Sequence, residues 1–115
     1  MRWIKIPIPD QDIVQQITVD GKKICLIKSQ GKVFAIQNNC PHAGGVLSDG
    51  WCREGKVVCP IHRWEYDLHT GFGSEGQGDY IHIYPLDFRN DGVYVGFKEK
   101  WWKRLLLINF FFSRR

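Results

Sequence analysis

Short apolar-rich runs along this chain are each closed by a glycine turn, at a spacing that recurs for most of its length. Residues 13–19 are β-rich, and Asp20-Gly21 is a strong hairpin signal ahead of residues 23–28. Ser29-Gln30-Gly31 then turns the chain into Val33-Phe34-Ala35-Ile36. Glu54-Gly55 precedes Lys56-Val57-Val58, and Trp64-Glu65-Tyr66-Asp67 reads as a further short strand. Asp91-Gly92 joins a strand over 80–86 with one over 93–97. Spacing this regular predicts an all-β chain, built as an antiparallel sandwich or small barrels. Strand signals fade around 38–50 and 59–63, and loops held on a rigid sheet are where function concentrates. Residues 71–78 (Gly-Phe-Gly-Ser-Glu-Gly-Gln-Gly) form a third loop, flexible by composition.

From Lys98 the character changes, which divides the chain into a domain over 1–97 and a tail over 98–115. Residues 101–112 (Trp-Trp-Lys-Arg-Leu-Leu-Leu-Ile-Asn-Phe-Phe-Phe) suit a helix of about three turns. Wound that way, the apolar residues surround the axis, so the segment must be buried somewhere. Its aromatic content also suits strand pairing. Three settings meet the need for burial: packing against the domain or in a homo-oligomer, contact with a membrane surface, and docking to a larger partner. Lys103-Arg104 and Arg114-Arg115, flanking the apolar residues, suit the membrane surface.

At 115 residues, 43% of them hydrophobic and 24% charged, the chain has the size and balance of one globular domain. The formal charge of +4 is unevenly placed. The tail holds six basic residues against one acid, and residues 1–97 hold ten against eleven. A near-neutral body argues against nucleic acid as a partner, which would need a basic stripe on the folded face. The N-terminus lacks a signal-peptide pattern, and no run approaches the roughly 18–20 apolar residues of a membrane span. Four cysteines without a secretion signal read as metal ligands or free thiols, in a cytoplasmic protein.

The chemistry concentrates in Cys40-Pro41-His42 and Cys59-Pro60-Ile61-His62, with sixteen residues between His42 and Cys59. Each piece offers one thiolate and one imidazole. Zinc knuckles pair like with like, as Cys-x₂₋₄-Cys and His-x₃₋₅-His, whereas here each loop mixes the two. Matched mixed loops suit a [2Fe–2S] cluster whose irons have different ligands. An all-thiolate cluster is doubly negative when oxidised. Two neutral imidazoles in place of thiolates leave it formally neutral, so reduction costs less.

The neighbouring residues make a resemblance specific. Cys40-Pro41-His42-Ala43-Gly44-Gly45, together with the run from Cys59-Pro60-Ile61-His62 through Trp64, Tyr66 and Asp67 to Thr70-Gly71, resembles the Rieske iron–sulfur family. The resemblance covers the strand-rich body and implies an all-β Rieske fold with a small cluster-binding subdomain at one end. It implies that Cys40 and Cys59 bind one iron and His42 and His62 the other. It also implies a soluble ferredoxin without a catalytic site of its own, carrying single electrons from a flavin reductase to an oxygenase. The small subunit of a nitrite-reductase-like complex is the alternative within the family, and a zinc-binding interaction module the alternative outside it.

Departures from the family's subgroups refine the expectation. Members in cytochrome bc-type complexes carry a disulfide beside the cluster, at the positions of Gly45 and Ile61 here. A serine that donates to a bridging sulfur in that subgroup is Trp64 here. Both changes point to the low end of the Rieske range of about −150 to +300 mV. Tyr66 pulls the other way, since it matches a tyrosine that donates its hydroxyl to a cysteine ligand sulfur. Trp51 and Trp64 are expected to shield the cluster, Cys25 and Cys52 to be free thiols, and His69 and His82 to be solvated. Ending the chain after Phe97 is expected to change its size on gel filtration if 101–112 pairs copies, and to abolish liposome flotation if 101–112 anchors it. Unchanged size and flotation would leave packing against the domain or partner docking as the tail's role.

Overall fold

A computed structural model of the chain describes residues 1–42 and 44–98. The apolar tail segment over 101–112, with its helical and strand readings, lies outside the described residues. Among the described residues, ten strands make three antiparallel sheets. β1 (Arg2–Ile6), β10 (Gly92–Phe97) and β9 (Leu86–Arg89) form the first, in that order. β2 (Ile13–Val19), β3 (Lys22–Ser29), β4 (Lys32–Gln37) and β8 (Ile83–Tyr84) form the second. The third is a small meander of β5 (Trp51–Arg53), β6 (Lys56–Val58) and β7 (Glu65–Asp67).

Three of the hairpins follow from their turn dipeptides. Asp20-Gly21, Gln30-Gly31 and Glu54-Gly55 each place both residues at positive φ, the left-handed pair of a type I′ turn. That turn's twist matches the twist of the strands it joins.

β3 is the partition of the molecule. Ile24, Cys25, Leu26 and Ile27 are all fully buried, so β3 reads as a continuous apolar run instead of an alternation. Successive side chains leave a strand on opposite faces. Ile24 and Leu26 enter one core with Ile6, Val19, Ala35, Val95 and Phe97. Cys25 and Ile27 enter a second core with Ile36, Leu47, Val57, Tyr66 and Leu68, and this core also takes Cys40 and Cys59. β4 repeats the division with Ala35 and Ile36. The loops of Cys40 and Cys59 are thereby rooted in the same strands that hold the main sheets together.

Of the strand expected over 80–86, residues 83–84 form β8 and Leu86 opens β9, with a break at Pro85, while 80–82 lie outside the named strands. β8 pairs with β4, while β9 pairs with β10 in the other sheet. Proline has no N–H to donate to a ladder, so the chain changes sheets where pairing is already interrupted. The Pro85 carbonyl is used, accepting the Gly96 N–H at 2.9 Å. β1 and β5 were not expected from the residue pattern. Alternation in β1 is weak, and its place comes from register with β10, Ile4 opposite Val95 and Ile6 opposite Val93. Among the described residues, no helix is long and apolar enough to cross a membrane.

Leu26→Ala is expected to lower unfolding free energy by about 2–5 kcal/mol, the usual range for truncating a packed core leucine. Denaturant titration checks it, and a loss below about 1 kcal/mol would mean that the partition is not tightly packed.

Candidate metal centre

Two loops of matching construction bring the predicted ligands together. In the first, the Cys40 N–H donates to the Gly45 carbonyl at 2.7 Å. In the second, the Cys59 N–H donates to the Trp64 carbonyl at 2.8 Å. Each bond closes its loop between the cysteine and the residue five positions on. Each cysteine therefore sits at a base that faces the core, and each histidine at a projecting tip. Cys40 is 2% exposed and Cys59 0%, while His42 and His62 are both exposed.

The first loop is pinned by Asn38, a buried polar side chain with its bonds made. Its carbonyl accepts the Leu47 N–H at 2.7 Å and its Oδ1 the Ser48 N–H at 3.0 Å. Its Nδ2 donates to Gln16 Oε1 at 2.8 Å, which ties the loop to β2. The second loop carries backbone strain. His62 and Arg63 stand at φ of 64° and 57°. Left-handed geometry at non-glycine residues costs about 1–3 kcal/mol each, and such strain concentrates at functional sites.

The donors fall into two pairs. Burial is the main cause that raises the Cys59 thiol above its ordinary pKa, while a hydrogen bond from the Ile61 backbone holds it down. The Cys40 sulfur, in hydrogen-bond contact with it, raises it further. The His42 and His62 rings stand edge to face with centroids 5.7 Å apart. Among the described residues, no group of three His, Cys, Asp or Glu side chains is gathered as a single metal ion requires. Two sulfurs below and two imidazoles above instead suit a binuclear cluster, where each iron takes only two protein ligands.

The flanking residues shape this space. A Cβ at Gly45 would lie 3.1 Å from Cys59 Sγ and 3.1 Å from Ile61, closer than neighbours normally stand. Positions 45 and 61 therefore face each other beside the sulfurs. Trp64 stacks flat on His42, with centroids 3.5 Å apart and planes 10° from parallel, so the indole sets the orientation of that imidazole. Trp51 stands exposed on β5. Tyr66 is fully buried, with its hydroxyl 3.6 Å from Cys40 Sγ. The same hydroxyl donates to Asp79 Oδ2 at 2.9 Å. Burial, then Cys40 and Asp79, push the phenol pKa upward and keep it protonated.

Residues 5–79 match the Rieske [2Fe-2S] domain family. The chain belongs to that family. Its cofactor is accordingly a Rieske-type [2Fe–2S] cluster. The chain is similar to the ferredoxin component of the naphthalene 1,2-dioxygenase system of Pseudomonas aeruginosa, at 34% identity over 64 residues. That stretch is 56% of this chain and 61% of the relative, less than two thirds of its length. The ferredoxin of carbazole 1,9a-dioxygenase from Nocardioides aromaticivorans IC177 shares the Rieske fold, with a TM-score of 0.74 at 23% identity over 85% of this chain and 100% of that one. A putative NADH-dependent nitrite reductase small subunit from Mycobacterium tuberculosis shares it too, with a TM-score of 0.70 at 23% identity over 86% and 97%. At such identities the structural likeness is one of fold.

The remaining cysteines and histidines of the Rieske chain lie apart from the loop tips. Cys25 is buried in β3 and its pKa is pushed up to about 12, mainly by burial and secondly by Cys52. Cys52 is half-buried on β5 and raised to about 11, again by burial first. Both stay protonated thiols at neutral pH. His69 is exposed, edge-on to Phe34 with centroids 5.3 Å apart. His82 is exposed and has its pKa lowered, first by desolvation and then by Lys98 and Lys22.

Two positioning residues were missed in the sequence, Asn38 and Asp79. Neither stands in the Cys–His pattern; the partners of the Asn38 side chain lie 10 and 22 residues away, and Tyr66 lies 13 from Asp79. The third loop is also less free than its glycines suggested. The Ser74 N–H donates to the Glu65 carbonyl at 3.1 Å, and Gln77 bonds the Glu65 backbone through both ends of its amide.

Asp67 explains the Asp-x-x-Thr-Gly signature as a turn. Its Oδ1 accepts the His69 N–H at 2.7 Å and the Thr70 N–H at 3.0 Å. These bonds, the one from Thr70 foremost, lower the Asp67 pKa against a smaller opposing effect of burial. A carboxyl depressed by folding adds stability above its unfolded pKa of about 3.9 and loses it as pH falls through the folded value. Asp67→Asn is therefore expected to flatten the acid limb of the stability curve below about pH 4. Thermal melts across pH 2–7, an interval of about five units centred on carboxylate titration, check this. An unchanged acid limb counts against the turn.

Proposed function

We propose that the chain is a single-electron carrier in which Cys40 and Cys59 hold one iron and His42 and His62 the other. The observation that carries this is the division of burial, with both thiols enclosed and both imidazoles at the loop tips. When bound, the cluster supplies a site that takes up and releases one electron at a time. Cys40 and Cys59 hold its inner side in a water-poor core, which limits the reorganisation that accompanies a change of charge. His42 and His62 stand at the outer side, where an approaching partner can come within electron-transfer distance. Ile61, 42% exposed, adds apolar contact surface beside them.

The donor is a flavin reductase and the acceptor an oxygenase, as the dioxygenase-system ferredoxin component at 34% identity supports. The chain then acts as an electron-transfer component with no catalytic step of its own. Its place is the cytoplasm, which agrees with four cysteines outside any disulfide. Residues 1–97 constitute the electron-transfer domain, with the family match at 5–79 inside it, and 98–115 are an appended segment.

Anaerobically purified protein is expected to be brown, with visible absorption that bleaches on dithionite. Cys40→Ser and Cys59→Ser are expected to abolish the colour. His42→Ala and His62→Ala are expected to lose the Rieske absorption and paramagnetic signature. Reduced protein is expected to deliver one electron per chain to an oxygenase component. A colourless chain holding one zinc would overturn the proposal.

A further inference from the structure

The buried Tyr66 hydroxyl has one proton and two acceptors in reach. Asp79 Oδ2 lies at 2.9 Å and Cys40 Sγ at 3.6 Å. A carboxylate oxygen accepts a short charge-assisted bond, whereas a ligand sulfur is large and diffuse and shares its charge with iron, which makes it the weaker acceptor. The shorter distance and the stronger acceptor coincide on Asp79.

Asp79 is also built into its position. Its Oδ1 accepts from Gln77 Nε2 at 3.4 Å. Gln77 is itself oriented by the Glu65 backbone, whose N–H reaches Oε1 at 3.2 Å and whose carbonyl accepts from Nε2 at 3.1 Å. The Gly73 N–H donates to the Asp79 carbonyl at 2.9 Å. A Cβ at Gly73 would lie 2.7 Å from Asp79 Oδ1 and 2.6 Å from Gln77 Nε2, so a side chain there would push both groups from these positions. The loop delivers a carboxylate to the hydroxyl that stands 3.6 Å from Cys40 Sγ.

We propose that Asp79 captures the Tyr66 hydroxyl proton and withholds that hydrogen bond from the Cys40 sulfur, holding the reduction potential below what Tyr66 alone would set. This rests on Cys40 being a cluster ligand, as proposed above. A hydrogen bond to a ligand sulfur stabilises the more negative, reduced state and raises the potential. Turning the bond toward Asp79 removes that stabilisation. No proton transfer is involved, only the direction of the O–H bond. Asp79 is thus a positioning residue that acts through Tyr66.

The test is a double-mutant cycle on the full, cluster-loaded chain, read by protein-film voltammetry and by the Fe–S(Cys) stretching bands in resonance Raman. Asp79→Asn is close in shape but neutral, and Asp79→Ser serves if that variant does not load. Tyr66→Phe in the parent is expected to leave the potential nearly unchanged. Asp79→Asn is expected to raise it, and most of that rise should vanish when Tyr66→Phe is added. The Fe–S(Cys) bands should shift in Asp79→Asn only while Tyr66 is present. Equal rises with and without the tyrosine would show a plain charge effect and overturn the proposal. A large fall for Tyr66→Phe in the parent would also overturn it, by placing the proton on sulfur. A parent chain that never takes up the cluster would instead overturn the ligand assignment, a failure visible before any potential is measured.

Discussion

Cysteine and histidine two or three positions apart must end on opposite sides of a protein–water boundary, and the rest of the structure serves that constraint. Hydrogen bonds from the Cys40 and Cys59 N–H groups to the Gly45 and Trp64 carbonyls close two loops of equal span. With their bases anchored, the thiols point into a packed core and the imidazoles stand clear of it. Buried thiolates would be costly alone, because desolvation raises their pKa. In the proposed assignment, a cluster with two ferric ions would supply the compensating charge.

The rigidity that this arrangement needs comes from β3 and β4. Alternate residues of both strands enter two cores, so the tip shares its foundation with the main sheets. Asn38 extends the foundation upward, converting the end of β4 into three directed bonds. Strain at His62 and Arg63 is held in place by the same framework. Trp64 adds the last constraint by stacking on His42, so residues on the second loop orient a donor on the first.

Below the sulfurs, the third loop does more than cover the core. It carries Gln77 and Asp79 to β7, where their bonds converge on Glu65 and Tyr66. The expectation that Tyr66 reaches a cysteine sulfur meets a structure in which the sulfur is present but has a competitor at shorter range. A tyrosine at this position therefore does not by itself imply a raised potential. What matters is whether a second acceptor stands beside the hydroxyl.

Turn dipeptides, short apolar runs and the paired Cys–His loops were legible in the sequence because each depends on residues close together in the chain. Type I′ turns need particular residues at two adjacent positions, and a cluster ligand needs a thiol or imidazole whatever surrounds it. Gly45 and Ile61 were equally legible, since an absent cysteine removes a disulfide in any fold. The break at Pro85 was written in one residue, yet its consequence, a change of sheet, depended on which strands stood nearby. Only the tertiary structure decided that β1 joins β10, that Asn38 pins the first loop, and that Asp79 meets Tyr66. Those contacts join residues distant in sequence through side chains of common type, and hydrogen-bond partners are chosen by proximity in space, on which local pattern is silent.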